Sequence, residues 1–413
     1  MNLYDYQESN AQKAFQTVKT HQHAYLCFEV RTGKTLTALR TADLLGASRV
    51  LFITKKKAIP SIESDFDAYS SSYRPTFSLL VTNYEQVKKL APEYDLVVVD
   101  EAHNIGAFPK PSIRQGQVRE ICQQAKYVLF LSGTPSPETW SQLYHQLQVL
   151  PHNPFAKFPS FYSWAQQYVE VYTQRIGGRV INKYDKANVE AIKSVTDPFM
   201  LSFTQEEAGF ECPVSENFME VKMKPATVRH AKNLRTGKPV IINGQEIMAE
   251  APNVIMNKVH QLSGGTIIPD LEQDSFLIDD TKVRFIKREF KQFERLAIVY
   301  KFKGERLLLI DKLKNYTEDV EAFKSGKFRY FIGQVSSIKE GVDLSSADAL
   351  VMYNVDYSAA AYLQTRARLQ KKSRRQEVLI FWLFSNIGFE QLVYDTLQEK
   401  KRFTVHHYQK AMF

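Results

Sequence analysis

The sequence contains few cysteines and no long hydrophobic run. Its three cysteines, Cys27, Cys122 and Cys212, are far apart and follow no zinc-binding spacing. This scarcity indicates a reducing compartment. No apolar stretch approaches the roughly 20 residues that a membrane-spanning helix needs, and the first residues lack the basic and apolar regions of a secretory signal. We therefore expect a cytoplasmic protein without membrane contacts.

The sequence also lacks repeats and low-complexity segments. Hydrophobic residues make up 44% and charged residues 24% of the chain, which are ordinary proportions for a globular protein. A chain of 413 residues is long enough for two or three domains, each with its own core.

Positive charge is concentrated near the carboxyl end. The net charge is +9, and from Tyr362 onward ten Lys and Arg residues face only four acidic ones. A local basic excess favours a polyanionic partner such as nucleic acid. A solvated helix face is the commoner explanation when a charge run stands alone. The choice between a solvated face and a nucleic-acid partner therefore depends on the motifs.

Short apolar runs alternate with longer amphipathic stretches, which predicts parallel sheets covered by helices. In the first half, strands are predicted over 24–29, 50–54, 78–82, 96–100 and 127–132, and helices over 35–45 and 85–90. In the second half, strands are predicted over 296–302, 306–310, 328–333, 349–353 and 378–384. The segment 151–284 is rich in aromatic and charged residues and shows little signal for buried strands. We expect it to form a helical insertion with its own small core.

A phosphate-binding loop is predicted where the first strand meets the first helix. Gly33, Lys34 and Thr35 form the turn, so backbone N–H groups and a helix N-terminus would cradle phosphates there. Lys34 would reach the β- and γ-phosphates, and the Thr35 hydroxyl would bind Mg²⁺. The sequence departs from the strict pattern, since Phe28 stands where the first glycine is usual and Arg31 fills another position that often holds glycine.

A buried strand at 96–99 delivers two carboxylates to its end. Ligands of open α/β sheets bind at the carboxyl edge of the strands, which is where Asp100 and Glu101 fall. Asp100 would hold Mg²⁺, mostly through water, and Glu101 would orient the attacking water. Together with the phosphate loop, this arrangement predicts an ATP-hydrolysing motor.

These motifs, taken in order, resemble those of superfamily 2 helicases and translocases, and among them the Swi/Snf-like motors with a DEAH-type acidic motif. The resemblance runs along nearly the whole chain. Gln7 matches the adenine-reading position, and residues 54–57 and 81–85 match segments that touch the nucleic-acid backbone. Residues 131–135 match the motif that couples hydrolysis to strand movement.

The second half continues the resemblance. Residues 330–344 resemble motif V, and residues 364–371 resemble motif VI, in which two arginines are usual. Arg368 takes the first arginine position, but Lys371 takes the second, and an ammonium cannot fork onto a phosphate as a guanidinium does. Arg368 is therefore the expected arginine finger, while Lys371, Arg366 or Arg374 remains open as its partner.

The resemblance implies an α/β protein with two RecA-like lobes that have parallel sheets, plus a helical insertion. The expected lobes are 1–205, with a helical extension at about 150–200, and 206–413, with a helical insertion at about 223–290. ATP, with Mg²⁺ as cofactor, would bind between the lobes. The implied ATP-binding residues are Gln7, Arg31, Thr32, Gly33, Lys34, Thr35, Gly341, Asp343, Arg368 and Lys371.

The same resemblance implies roles in coupling and nucleic-acid binding. The coupling residues are His103, Ser132, Thr134 and Gln364. The nucleic-acid-binding residues are Lys55, Lys56, Thr82, Tyr84, Ser336 and Ser337. The expected partner is nucleic acid, with DNA favoured, single- or double-stranded, and the expected state is a monomeric motor of a phage or bacterium, moving 3′ to 5′.

Three alternatives stay open at this point. The protein could remodel protein–DNA complexes as a double-stranded DNA translocase without unwinding. It could be a nucleic-acid clamp that kept the fold and lost ATP hydrolysis. The departures from the family pattern at Arg31 and Lys371 support this alternative. It could also be a nucleotide-dependent restriction or recombination subunit that needs partner chains.

Overall fold

The computed structural model describes residues 2–91, 93–176, 179–269, 274–338, 342–370, 374 and 376–399. The chain divides into two compact units, Met1–Phe210 and Glu211–Phe413. This division falls close to the limit that the sequence predicts between 205 and 206. Both units are of the α/β class that the sequence predicts.

The first unit is built on a six-stranded parallel sheet in the order β3-β2-β4-β5-β1-β8. The strands of this unit are β1 His23–Phe28, β2 Arg49–Thr54, β3 Ser78–Asn83, β4 Leu96–Asp100, β5 Tyr127–Leu131, β6 Tyr172–Ile176, β7 Arg179–Lys183 and β8 Met200–Phe203. Its helices are α1 Asp5–His21, α2 Lys34–Leu44, α3 Ile59–Tyr73, α4 Ile113–Cys122, α5 Leu143–Leu147, α6 Phe161–Tyr168 and α7 Val189–Thr196. Strands β6 and β7 pair as a separate antiparallel hairpin.

The second unit repeats the plan with a six-stranded parallel sheet in the order β15-β16-β14-β17-β18-β9. Its strands are β9 Val214–Val221, β10 Val240–Ile242, β11 Gln245–Ile247, β12 Thr266–Ile267, β13 Phe276–Leu277, β14 Leu296–Tyr300, β15 Tyr316–Thr317, β16 Tyr330–Gln334, β17 Ala349–Met352 and β18 Val378–Ser385. Its helices are α8 Pro225–Arg235, α9 Pro252–Ser263, α10 Thr281–Glu289, α11 Lys303–Lys312, α12 Val320–Lys324, α13 Val335–Ile338, α14 Ala359–Arg366 and α15 Phe389–Gln398.

Both sheets are buried on their two faces, as parallel sheets must be. In β4, Leu96 and Val98 join one hydrophobic cluster while Val97 and Val99 join the cluster on the opposite face. Each fully buried side chain of this size contributes about 1.5–3 kcal/mol through burial. The continuous apolar run that predicts the strand therefore also fixes where the strand ends, because Asp100 is the first residue that leaves both clusters.

Two local predictions of secondary structure, for residues 306–310 and 85–90, were wrong. Residues 306–310 lie in helix α11, because the Glu305 carboxylate accepts hydrogen bonds from the backbone N–H groups of Lys301 (2.8 Å) and Phe302 (2.9 Å) and so begins a helix. A short apolar run cannot by itself separate a strand from a buried helix. Residues 85–90 form only a turn and a short 3₁₀ helix, Val87–Lys89.

The segment 151–284 also contributes strands that the sequence did not predict. Besides helices it contains β8 and β9, each an edge strand of one main sheet. Strand β9 is mostly half-exposed and mixes polar residues such as Glu216 with apolar ones, so it lacks the continuous apolar run of the inner strands. None of the helices in the described ranges has the length and apolarity that crossing a membrane requires.

Candidate ATP and nucleic-acid site

The carboxyl edge of the first sheet gathers five segments that the sequence singled out. The phosphate loop follows β1, Lys55 follows β2, residues 82–85 span the end of β3 and the start of the turn after it, Asp100 ends β4, and residues 132–134 follow β5. Strand β5 separates the phosphate-loop strand from the acidic strand. Parallel strands deliver their carboxyl ends to one edge, which explains why residues distant in sequence meet there.

The phosphate loop turns through two residues with positive φ. Gly33 has a φ of 85° and precedes the first turn of α2, where its carbonyl accepts from the N–H of Thr37 at 3.0 Å. Arg31 has a φ of 66°, a conformation that costs a residue with a side chain roughly 1–2 kcal/mol. The Thr32 hydroxyl closes the loop by donating to the carbonyl of Glu29 at 2.8 Å.

Lys34 lies along this loop rather than in solvent. Its Nζ donates to the carbonyl oxygens of Phe28 (3.0 Å) and Glu29 (3.1 Å). Neutral carbonyls are weaker partners for an ammonium group than charged oxygens are. The lysine is thus held at the loop by contacts that an anion can replace.

Gln7 packs directly against the phosphate loop. Its side chain is buried, its Oε1 accepts from the N–H of Tyr4 at 2.9 Å, and a Cβ added at Gly33 would lie 2.0 Å from its Nε2. Only glycine therefore fits at position 33. The predicted adenine-reading residue and the predicted phosphate loop are in contact.

Asp100 is oriented by Thr54, which ends the adjoining strand β2, and by Tyr84, which follows β3. Its Oδ2 accepts from the Thr54 hydroxyl at 2.7 Å, and its main-chain carbonyl accepts from the hydroxyl of Tyr84. Burial, and then the Glu101 carboxylate, raise the pKa of Asp100 to about 6, whereas Thr54 and Lys34 oppose that rise. The effect of Lys34 shows that the two predicted phosphate and metal residues share one electrostatic environment.

Glu101 connects the acidic strand end to the loop after β5. It adopts a left-handed conformation, with φ 51° and ψ 49°. The Nδ1 atom of His103 lies 3.3 Å from the Oε2 of Glu101 and 3.0 Å from the Oγ of Ser132. The Oγ of Ser132 also accepts from the N–H of Thr134 at 3.1 Å. Three of the predicted coupling residues therefore form one chain of contacts with Glu101.

The loop after β5 also touches the phosphate loop. A Cβ at Gly133 would lie 3.2 Å from the carbonyl oxygen of Phe28 and 3.8 Å from the Nζ of Lys34. A side chain at position 133 would thus crowd the predicted nucleotide site.

The residues of the first unit fit ATP and Mg²⁺. Asp100 and Thr35 supply the hard oxygen atoms that Mg²⁺ prefers, and Mg²⁺ usually takes only one or two protein carboxylates, its other positions going to water and phosphate. Within the described ranges no cluster of three or more His, Cys, Asp or Glu side chains forms a separate metal site. The nucleotide phosphates are therefore the expected remaining ligands.

The predicted nucleic-acid contacts of the first unit divide into two groups. Lys55 is half-buried and Lys56 is exposed at the end of β2. Thr82 is 7% exposed and Tyr84 only 1% exposed. The expected contact of the Tyr84 side chain with nucleic acid is corrected, because its ring is buried and its hydroxyl is used by Asp100.

In the second unit, the motif V-like residues follow β16. Ser336 is exposed and Ser337 half-buried on α13. Asp343 accepts from the N–H of Ser345 at 3.0 Å and lies 3.9 Å from the Nζ of Lys324. Gly341 and Lys371, both predicted to contact ATP, lie outside the described residues.

The motif VI-like segment joins the motif V-like segment through the main chain, since the carbonyl of Arg368 accepts from the N–H of Leu344 at 3.1 Å. Gln364 is buried, and the Arg368 side chain is half-buried. Arg366 forms an ion pair with Glu216 at 3.0 Å. Arg374 donates to five main-chain carbonyls, those of Ser345, Ala347, Asp348, Gln376 and Glu377.

The contacts of Arg366 and Arg374 bear on which cation accompanies Arg368 at the γ-phosphate. Arg366 and Arg374 both hold parts of the second unit together, so neither is a good candidate for a phosphate contact. Arg368 remains the candidate finger.

Sequence reasoning missed three residues that hold the site. Thr54 was included only in a matched segment, Tyr84 was given another role, and Glu216 was not singled out. Glu216 accepts from Tyr362, Trp382 and Tyr394 besides Arg366, and it fixes helix α14 to the edge strand β9. A lone acidic residue in a half-polar strand gives no sequence signal for such a role.

Two family models match this chain. One, described as the SNF2-related domain, matches residues 22–263, and one described as the helicase conserved C-terminal domain matches residues 312–373. The first match covers more than half of the chain and includes the phosphate loop and the acidic strand end. The second includes Asp343 and Arg368.

Several curated proteins are similar to the chain at low identity. The ISWI chromatin-remodeling complex ATPase ISW1 of Saccharomyces cerevisiae is 22% identical over 373 residues, covering 82% of this chain and 31% of that protein. The human SWI/SNF-related matrix-associated actin-dependent regulator of chromatin subfamily A member 1 is 22% identical over 407 residues, covering 84% of this chain and 36% of that protein. The chain thus spans about a third of the length of these curated relatives.

A solved structure is also similar to the chain. It is the Sulfolobus solfataricus SWI2/SNF2 ATPase core in complex with dsDNA, with a TM-score of 0.43 at 16% identity, covering 97% of this chain and 91% of that one.

Proposed function

The chain belongs to the SNF2-related family, and we propose that it hydrolyses ATP to move along DNA. One observation carries the proposal. Lys34, Asp100 and Glu101, which are the residue types needed to bind phosphate, hold a divalent cation and orient water, lie at one sheet edge, where Gln7 packs against Gly33 and His103 links Glu101 to Ser132. An adaptor that had lost hydrolysis would have no need of these groups together.

The chemistry follows from the groups present. Lys34 exchanges its two carbonyl partners for the β- and γ-phosphates, and Glu101 orients the attacking water while His103 holds its carboxylate. Asp100 and Thr35 would hold Mg²⁺, which would supply positive charge to the phosphates during hydrolysis. Arg368 is the residue proposed to contact the γ-phosphate. Such electrostatic stabilisation by fixed groups is the main contribution that proteins make to phosphoryl transfer.

DNA is the proposed track. Two of the similar proteins are named as chromatin-remodeling or chromatin-regulating proteins. Because chromatin contains double-stranded DNA, we favour a duplex over a single strand as the track. Lys55, Lys56, Ser336 and Ser337 are proposed to contact backbone phosphates, together with Thr82. Phosphate contacts carry no sequence information and weaken with salt, so binding is expected to tolerate sequence and to fall with ionic strength.

The first test is steady-state ATP hydrolysis at fixed low salt, alone and with duplex DNA, single-stranded DNA or RNA. We expect duplex DNA to stimulate hydrolysis, and the Glu101→Gln variant to bind ATP without turning it over. If the wild-type protein hydrolyses no ATP under any of these conditions, the proposal is overturned in favour of a clamp.

Strand displacement then separates the two kinds of DNA motor. A translocase displaces a third strand from a triplex but leaves a forked duplex paired, whereas a helicase separates the fork. The second candidate function, unwinding, is favoured if single-stranded DNA is the stronger activator and the fork opens.

A further inference from the structure

Tyr84 joins two parts of the first unit that the proposed function requires to communicate. Its ring is buried, and its hydroxyl donates to the main-chain carbonyl of Asp100 and lies 3.4 Å from that of Glu101. Burial raises the pKa of the Tyr84 hydroxyl well above its usual range, so the hydroxyl remains a donor. The tyrosine thus holds the acidic strand end without touching either carboxylate.

The carbonyl that Tyr84 holds lies where the chain leaves the sheet. Asp100 is the last residue of β4 paired with β5, opposite Leu131. The next residue, Glu101, turns through its left-handed conformation. The orientation of the peptide between them therefore sets the direction of the Glu101 side chain. A buried carbonyl left without its donor costs about 1–3 kcal/mol, so this peptide follows the hydroxyl.

Tyr84 is itself part of the turn that follows β3. Asn83 fixes this turn by accepting from the N–H groups of Glu85 and Gln86, both at 3.1 Å. Arg114 lies over the Tyr84 ring, 5.0 Å from its centroid, and donates to the Glu85 carboxylate at 2.8 Å. Glu85 is largely exposed. Arg114 contacts both Tyr84 and Glu85 in this turn. A ligand that pairs with Arg114 or displaces Glu85 therefore acts on the position of Tyr84.

We propose that Tyr84 is a positioning residue that transmits nucleic-acid binding at the turn 82–85 to the peptide linking Asp100 and Glu101. The inference rests on the proposed function, since it supplies the route by which DNA accelerates hydrolysis. Arg114, which sequence reasoning did not single out, is the cation through which a DNA phosphate acts on the turn. Its guanidinium exchanges Glu85 for the phosphate, and the tyrosine hydroxyl carries the movement to the strand end.

The Tyr84→Phe variant tests the route because it removes only the hydroxyl. The matched control is Tyr144→Phe, since Tyr144 is also buried in the same unit, 3% exposed against 1% for Tyr84, and its hydroxyl donates to a main-chain carbonyl, that of Phe158, at 3.3 Å. The readout is the ratio of the ATPase rate at saturating duplex DNA to the rate without DNA. Couplings between sites are typically worth roughly 5- to 150-fold, so Tyr84→Phe is expected to lower the ratio at least about fivefold and Tyr144→Phe to leave it unchanged.

Hydrogen exchange gives a second readout that needs no hydrolysis. The N–H of Asn104 donates to the carbonyl of Glu101 at 2.9 Å, and DNA is expected to change its exchange rate in the wild type and in Tyr144→Phe but not in Tyr84→Phe. An unchanged stimulation ratio in Tyr84→Phe, an equal loss in both variants, or a DNA effect on this amide in Tyr84→Phe would overturn the inference. A wild type that couples DNA to this amide yet hydrolyses no ATP overturns the proposed function alone.

Discussion

The two units hold their candidate side chains in different ways. In the first unit, Asp100 and Glu101 are held at a sheet edge by hydrogen bonds from Thr54, Tyr84 and His103. In the second, the basic segment is held by main-chain bonds and by arginines that bind other parts of the unit, Arg366 to Glu216 and Arg374 to five carbonyls. The first unit gathers its candidate charged residues at one edge, whereas in the described part of the second unit Arg366 and Arg374 hold the fold together.

The difference extends to the core. The second unit buries a complete ion pair, Lys282 with Glu390, both fully inaccessible and 2.7 Å apart. Nearby, His260 and Glu305 both contact Asn354, and burial lowers the pKa of His260 and raises that of Glu305. These buried charges are therefore paired within the fold of the second unit, which means that a count of its basic or acidic residues does not locate the functional ones.

The largest effect is expected from Lys34→Ala. The substitution removes the ammonium that lies along the phosphate loop, and both binding and chemistry lose a charge-assisted partner. Removing one fixed donor from such a site costs about 10²–10³ in rate, and the loss of binding adds to it. We expect no measurable hydrolysis, while circular dichroism and thermal unfolding stay close to wild type; hydrolysis at the wild-type rate would sink the assignment of the phosphate loop.

Arg368→Ala tests whether the second unit contributes a single finger. Arginine fingers account for about 10³–10⁵ in rate, and we expect a loss near the lower end, because Lys371 shares the segment. Turnover should fall far more than ATP affinity, as measured by steady-state kinetics and by nucleotide binding.

Arg374→Ala is the matched control, since it removes a neighbouring guanidinium that donates to five main-chain carbonyls within the second unit. It should lower the unfolding temperature and leave turnover per folded molecule close to wild type. A larger loss of turnover in Arg374→Ala or Lys371→Ala than in Arg368→Ala contradicts the assignment of the finger.

The sequence predicted what local patterns determine. The apolar run before Asp100 predicted both a buried strand and the position of its end, and the edge rule for parallel sheets then placed Asp100 and Glu101 beside the phosphate loop. What failed depended on distant partners. The bond from Thr54 to Asp100 requires the register of β2 against β4, in which Ile53 pairs with Val99, and no local pattern encodes that pairing.

The same limit explains the other errors. Residues 306–310 read as a strand because the carboxylate that begins α11 is recognisable only once its bonds to Lys301 and Phe302 are seen. Strand β9 was not predicted because it is an edge strand and only partly buried, so few of its positions need apolar residues. Tyr84 was assigned to nucleic acid from the segment it belongs to, whereas its burial depends on β3 lying in the same sheet as β4.

Lys282→Met tests the contrast between functional and structural charge. The substitution leaves Glu390 buried with Ser385 as its remaining partner among the described residues, and breaking a buried pair in this way typically costs about 3–5 kcal/mol. The control is Lys186→Met, which breaks an exposed pair with Glu170 of the same 2.7 Å length and should cost no more than about 1 kcal/mol. Hydrogen exchange of main-sheet amides, those of β18 for Lys282→Met and those of β8 for Lys186→Met, gives the local unfolding free energy in the unit that carries each substitution. If Lys282→Met proves as mild as Lys186→Met, the buried pair is not what stabilises the second unit, and its charges would have to be reconsidered as candidates for function.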